Sequence, residues 1–448
     1  MNEAIGTDWL AERLPSPTAK DLAADLGQLI KHGEIPPGAR LPPVRDLAAV
    51  LGVSPATVSS AWQRLRARDV LVGGGRSGMQ VAGAPTTPRP VRYQSEGDFG
   101  SGLRFDLKLS APDPALLPDP MAVLATLPRP ADLNDYTRTR IVETLDRAAR
   151  AEWPYPARSL MTANGGYEAL MITLNTFIQP GDIVLVEDPS TARMLDIIDL
   201  TGARTVHLER DAEGILPSAL RSALSARPTA LVLQPSLHNA LGVAMTAGRR
   251  DALAAVLAGT EMLIIEDDGF GPLVDGPIHT LSATAPEQSV YIRSYSKSHG
   301  PDLRLAILEG PAAVIDRISD YRQYGSAWSS RILQECLAAM LTSSEIRRGV
   351  QRAAATYDRR RAALESALRA RGLDVPTVRG MNIWLPVVNE RFAMVTLAAH
   401  GIAVMSGSRF GATAATDHIR ISASTLRDAQ TAEVADALTR AVAGPGKR

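Results

Sequence analysis

Ser294-Tyr295-Ser296-Lys297 follows the apolar run Val290-Tyr291-Ile292, and Arg304 stands seven residues beyond the lysine, before a second apolar run, Leu305–Leu308. Two hydroxyls, an amine and a guanidinium are thus gathered at a strand end. The set suits a cofactor that carries both an aldehyde and a phosphate. The amine would form a Schiff base, while Ser294, Ser296 and Arg304 would hold the phosphate. A lysine in a serine-rich loop is more often simply solvated, so the assignment depends on finding the rest of such a site.

Other segments supply it. Glu261–Glu266 reads as a short buried strand leading into Asp267. A carboxylate there would keep a pyridine nitrogen protonated, because opposite charges at short range favour the charged form of both. Glu266 or Asp268 could take the same part. Thr229–Gln234 is another strand, and Asn239 follows it, placed to donate to a ring hydroxyl. Gly165-Gly166-Tyr167 opens an apolar helical run, 168–178. Small residues at a helix start let backbone N–H groups approach a phosphate, and the helix dipole favours the anion. These segments alternate with helical patterns, and the chemistry falls after the carboxyl ends of strands, where open α/β sheets bind ligands.

In this order the pieces resemble the fold type I aminotransferases, over residues 104–442. Glu187-Asp188-Pro189 looks like that family's turn after a strand, and Arg420, in Ile419-Arg420-Ile421-Ser422, matches the place of its arginine for a substrate carboxylate. A guanidinium grips a carboxylate bidentately; alone, Arg420 would read as a solvated edge-strand residue. The resemblance implies pyridoxal phosphate (PLP) on Lys297. It also exposes departures. The ring-stacking aromatic is replaced by Thr191, or by Ser190 under a shifted alignment. The tyrosine after Asp267-Asp268 is Gly269, followed by Phe270, and the usual Asn-Pro is Asn239-Ala240. Tyr136 is the nearest candidate for reaching a partner's phosphate. Phosphate and lysine anchors are kept while ring-tuning groups are thinned, which favours binding over turnover.

Residues 1–83 follow a different pattern. Leu22, Leu26, Leu29 and Ile30 form a helical stripe; Val44–Leu51 is a second helix ended by Gly52. Ser54 caps a third, with Pro55 at its first position and Val58, Ala61, Trp62 and Leu65 as its buried stripe. Two short strands about a glycine-rich turn complete a winged helix-turn-helix. Leu41-Pro-Pro-Val-Arg45, Ser54-Pro-Ala-Thr57-Val58 and Gly75-Arg76-Ser77-Gly78 resemble the GntR family, which implies double-stranded operator DNA as partner, with Arg45, Thr57 and Arg76 on it. Pro55 and Ala56 stand where that family often has a basic or amide residue, so base reading would lean on Arg45, Ser60 and the wing. Arg40, Arg45, Arg64, Arg66, Arg68 and Arg76 outweigh Asp46 and Asp69 here, although the chain as a whole, with 48 basic and 48 acidic residues, is neutral. Local basicity of this kind is the footprint of phosphate binding.

Residues 84–103, rich in proline and then in glycine, serine and acids, read as a linker. The order of the two units is that of the MocR subfamily, in which the large unit usually senses rather than catalyses and the protein is commonly a head-to-tail dimer. The resemblance therefore implies a regulator answering to PLP or to an amino acid or amine held near Arg420. A working aminotransferase with an attached DNA module, and a cofactor-free dimerisation scaffold, are the competing readings. The start of the chain has no secretory pattern and no apolar run is long enough to span a bilayer, so a cytoplasmic protein without membrane attachment is expected. The single cysteine, Cys336, lies in an apolar helical pattern and excludes an intramolecular disulfide. Histidine spacing suggests no metal.

Overall fold

The computed structural model describes residues 4–15, 17–66, 70–73, 78–82, 90, 92, 102–129, 133–136, 138–411 and 417–444. It divides into two units, 1–89 and 90–448.

In the first unit, α1 (Thr7–Ala11), α2 (Ala19–Lys31), α3 (Val44–Leu51) and α4 (Pro55–Arg66) precede a hairpin of β1 (Leu71–Gly73) and β2 (Met79–Val81). Local chemistry sets these boundaries. Thr18 Oγ1 accepts from Asp21 N at the start of α2, and α3 ends at Gly52, whose φ of 66° suits a residue without Cβ. Ser54 Oγ accepts from Thr57 N at 3.1 Å and fixes the start of α4. The apolar face of α4 buries Val58, Ala61, Trp62 and Leu65 against Leu22, Leu26 and Leu47. The turn containing Arg76 lies outside the described residues.

The second unit is built on seven strands: β3 (Ser159–Ala163), β4 (Ile183–Glu187), β5 (Arg204–Leu208), β6 (Ala230–Leu233), β7 (Leu263–Asp268), β8 (Ser289–Ser294) and β9 (Ala306–Gly310). Their order across the sheet is β3-β9-β8-β7-β6-β4-β5. All run parallel except β9, which is antiparallel to both neighbours. Both faces are covered. Val186, Val232 and Ile265 pack on one side with Leu170 and Leu174 of α5 (Gly166–Phe177), while Leu185, Leu231 and Ile264 pack on the other with Leu253 and Leu257. Alternation of neighbours between two apolar layers is why these strands read as continuous apolar runs.

A smaller sheet follows. Its strands are β10 (Asn382–Pro386), β11 (Met405–Ser406) and β12 (His418–Ser422), in the order β10-β12-β11. Ile383, Leu385, Ile419 and Ile421 bury against Leu364 and Leu368 of the long helix Ser344–Arg369 and against Val434 and Leu438 of Asp428–Val442. Cys336 is buried in the helix Arg331–Thr342. No helix among the described residues is long and apolar enough to cross a membrane.

Candidate functional site

The carboxyl ends of β4, β6, β7 and β8 converge, and the predicted residues meet there. Gly165 has φ 95°, and Gly166 begins α5. A Cβ on Gly165 would stand 3.1 Å from Arg304 Nη2; on Gly166 it would stand 3.3 Å from Ser294 Cβ and 3.7 Å from Asp267 Oδ1. The glycines are therefore a cradle whose rim is Arg304, Ser294 and the backbone at the start of a helix. Arg304 itself has φ 48°, so the turn that presents its guanidinium is held in the left-handed region. Ser296 lies in the turn after β8, its N–H directed at Ser294 Oγ, 3.4 Å away.

Lys297 Nζ donates to Gly269 O at 3.0 Å and lies 4.6 Å from the centroid of the Phe270 ring. A Cβ at Gly269 would stand 3.5 Å from that amine, in ordinary contact with it. Burial lowers the amine to about 8; Asp267 opposes the shift and Arg420 adds to it.

The three adjacent carboxylates have separate duties. Glu266 is buried among Thr280, Ser282 and the Leu281 N–H. Asp268 accepts from Ser236 Oγ, from Gly271 N at 2.9 Å and from Tyr291 OH at 2.8 Å. Successive residues of a strand face opposite sides, and only Asp267 faces Lys297 and the cradle. Burial pushes its carboxyl above the ordinary range. Gln234 Nε2, donating at 2.8 Å, and the Lys297 charge pull it back.

Asn239 accepts from Arg420 Nη1 at 2.6 Å through Oδ1, and its backbone O accepts from Asn382 Nδ2 at 2.6 Å. Arg420 is 5 % exposed and lies on the central strand of the small sheet, paired opposite Trp384. It is not the solvated edge residue that its isolated sequence context suggests. A cavity of 170 Å³ opens here, with Ser110, Tyr167, Thr191, Asn239, Lys297 and Arg420 in its wall. The Arg193 guanidinium lies over the Tyr167 ring, 4.8 Å from its centroid.

Thr191, not Ser190, faces the cavity, since Ser190 Oγ turns to Met194 Sδ. Thr191 is 3 % exposed and its Oγ1 has no hydrogen-bond partner among the described residues. His238 holds the turn before it. Its Nδ1 accepts from Ala240 N and Leu241 N, so the proton sits on Nε2, which donates to Pro189 O at 2.9 Å. Burial lowers this imidazole well below its usual range and keeps it neutral.

Sequence reasoning missed Gln234, Asn382 and the carbonyl of Lys108, which accepts from Arg420 Nη2. For Gln234 a signal existed: an amide closing an otherwise apolar strand must be bonded if it is buried.

The residues assigned to DNA are placed less tightly. Arg45 is exposed on the first turn of α3, and Ser60 is half-buried on α4. The Thr57 hydroxyl lies 2.8 Å from Ser54 Oγ and so belongs partly to the helix cap. Gln63, Arg64 and Arg66 are exposed on α4.

Fold and site together define a winged helix-turn-helix joined to a fold type I aminotransferase-like unit. Residues 18–81 match the bacterial regulatory proteins of the gntR family, and residues 110–438 match aminotransferase class I and II. The chain is 32 % identical to the vitamin B6 salvage pathway transcriptional repressor PtsJ of Salmonella typhimurium, over 94 % of this chain and 99 % of that protein. It is 28 % identical to the pyridoxine biosynthesis regulator PdxR of Corynebacterium glutamicum, over 88 % and 89 %. Among solved structures, an archaeal alanine:glyoxylate aminotransferase superposes with a TM-score of 0.71 at 20 % identity, over 76 % of this chain and 91 % of that one. The chain belongs to the MocR subfamily of GntR-type transcription regulators, DNA-binding proteins that carry an aminotransferase-like domain.

Proposed function

We propose that the large unit binds PLP at Lys297 and that occupancy of this site, by PLP alone or with an amino acid or amine, sets the affinity of the winged unit for its operator. One observation carries the reading: Lys297, Asp267, Ser294, Arg304 and the Gly165-Gly166 cradle converge although they come from separate strands and turns. The donor set fits the cofactor. Gly165, Gly166, Ser294, Ser296 and Arg304 would hold its phosphate. Asp267 would keep a proton on its ring nitrogen, and Asn239 would donate to its ring hydroxyl. Arg420 would grip a carboxylate on an amino-acid effector, beside Tyr167. PLP, when bound, supplies an aldehyde for a primary amine and a ring that withdraws electrons. The Lys297 amine, held toward Gly269 O, would be the amine that such an aldehyde takes.

Thr191 and Gly269 remove an aromatic face and a hydroxyl from the ring's surroundings, which supports sensing over transamination. The names of two relatives, a vitamin B6 salvage repressor and a pyridoxine biosynthesis regulator, support PLP itself as the signal. The exposed aromatics Tyr136 and Tyr324, 85 % and 93 % accessible, with Tyr136 edge-on to Trp328, form the surface on which we place a second copy, head to tail.

The first test is absorption. Purified protein given PLP should gain a visible band that borohydride converts into a stable adduct on Lys297. Only the neutral amine attacks, so the rate of capture should rise with pH around a midpoint near 8, not near the 10.5 of an ordinary lysine. Stopped-flow traces from pH 6 to 10 measure it, and a rate still climbing tenfold per unit above pH 9 would contradict the assignment.

For the winged unit, operator affinity should fall steeply with salt, because phosphate contacts release counterions. Arg45→Ala should weaken binding without changing PLP uptake. A loss that relaxes sequence preference would mark Arg45 as a base reader, and a slope of log affinity against log salt lower by about one would mark it as a phosphate contact. An unchanged slope and affinity would remove Arg45 from the interface.

A further inference from the structure

Gln234, which follows β6, is 5 % exposed and its amide is forked. Nε2 donates to Asp267 Oδ2 at 2.8 Å, while Oε1 accepts from Asn239 N at 3.1 Å. Its own backbone N–H donates to Glu187 Oε2 at 2.6 Å, and Glu187 is paired with Arg210 at 3.3 Å. Asn239 Oδ1 in turn accepts from Arg420 Nη1. One amide thus stands between the acid that faces the cradle and the side chain that holds the cavity's buried arginine. Neither end can be reversed: an ionised carboxylate only accepts, and a backbone N–H only donates. Leucine would serve neither end. Glutamate would serve Asn239 at any pH but Asp267 only while protonated.

We infer that Gln234 is a positioning residue that holds Asp267 ionised against the cofactor's ring nitrogen and registers Asn239 against Arg420. The inference rests on the cofactor reading above. A donor to a carboxylate favours its charged form, and Asp267 needs this help because burial works the other way. With the donor gone, Asp267 would hold its own proton more readily and would support a protonated ring nitrogen less. A bound ring would then withdraw fewer electrons, and the midpoint of the visible band would rise.

The test is a pH titration of the visible band in full-length, PLP-loaded wild type, Gln234→Leu and Gln234→Glu. In Gln234→Leu the midpoint should rise by on the order of one pH unit, the equivalent of one hydrogen bond to a charged group. Gln234→Glu should match wild type at low pH, where its carboxyl is protonated and donates, and depart from it as the pH rises. This variant keeps the bond to Asn239 and decides the matter if the leucine protein does not fold. Midpoints equal to wild type in the folded variants, with or without a lower melting temperature, overturn the role of Gln234 and leave the cofactor reading intact. A wild type with no band reducible by borohydride overturns the cofactor reading and this inference with it.

Discussion

Lys297→Ala protein, incubated with PLP, reduced with borohydride and dialysed, should carry no cofactor, whereas wild type should retain it. The effect is the largest expected of any single change, since it removes a covalent bond and leaves only polar contacts. Those contacts remain: the Gly165-Gly166 cradle and Arg304 do not depend on the lysine. The variant should still bind PLP weakly and reversibly, without the lysine-dependent visible band. Absorption before and after dialysis, with mass spectrometry after reduction, measures both parts. A dialysis-resistant band still reducible onto the variant would place the reactive amine elsewhere.

Arg304→Ala should cost the second-largest share of affinity. Its guanidinium stands 3.1 Å from the position of a Cβ on Gly165, and nothing but glycine allows that approach at φ 95°. Hydrogen bonds to a charged group contribute about 1.5–3 kcal/mol, so PLP should bind about ten- to 150-fold more weakly. Pyridoxal, which lacks the phosphate, should lose little. Titrating both ligands into both proteins separates the phosphate role from general damage. Equal losses for PLP and pyridoxal would mean that Arg304 supports the turn and not the anion.

Much of this could be read from the chain because the signals are local. Ser54-Pro55 and Gly52 fix helix ends by their own backbone chemistry, and the winged unit follows from them. Apolar runs marked the parallel strands, and Asp267 and Lys297 stood at their ends. What was not legible depends on distance along the chain. The bonds from Gln234 to Asp267 and from Arg420 to Asn239 join residues 33 and 181 positions apart, and no periodicity encodes such pairings. The choice among Glu266, Asp267 and Asp268 needed the direction of each side chain, set by the register of β7 against β6 and β8. The reversed direction of β9 was likewise hidden, since an apolar run looks the same either way. The short α1, Thr7–Ala11, carries too few residues for a helical stripe to declare itself.

In the function proposed above, the large unit's ligand sets DNA affinity. A ligand shifts an equilibrium only by the difference in its affinity for the two states, and the coupling is reciprocal. The direct measurement is operator affinity, by fluorescence anisotropy at fixed salt, with and without saturating PLP, in wild type and Lys297→Ala. In wild type, PLP should change operator affinity by about 1–3 kcal/mol, roughly five- to 150-fold. The change should be much reduced in the variant, and operator DNA should alter PLP affinity in wild type by the same factor. Equal operator affinity with and without PLP, and with PLP plus a panel of amino acids, would contradict it and leave the large unit as a scaffold.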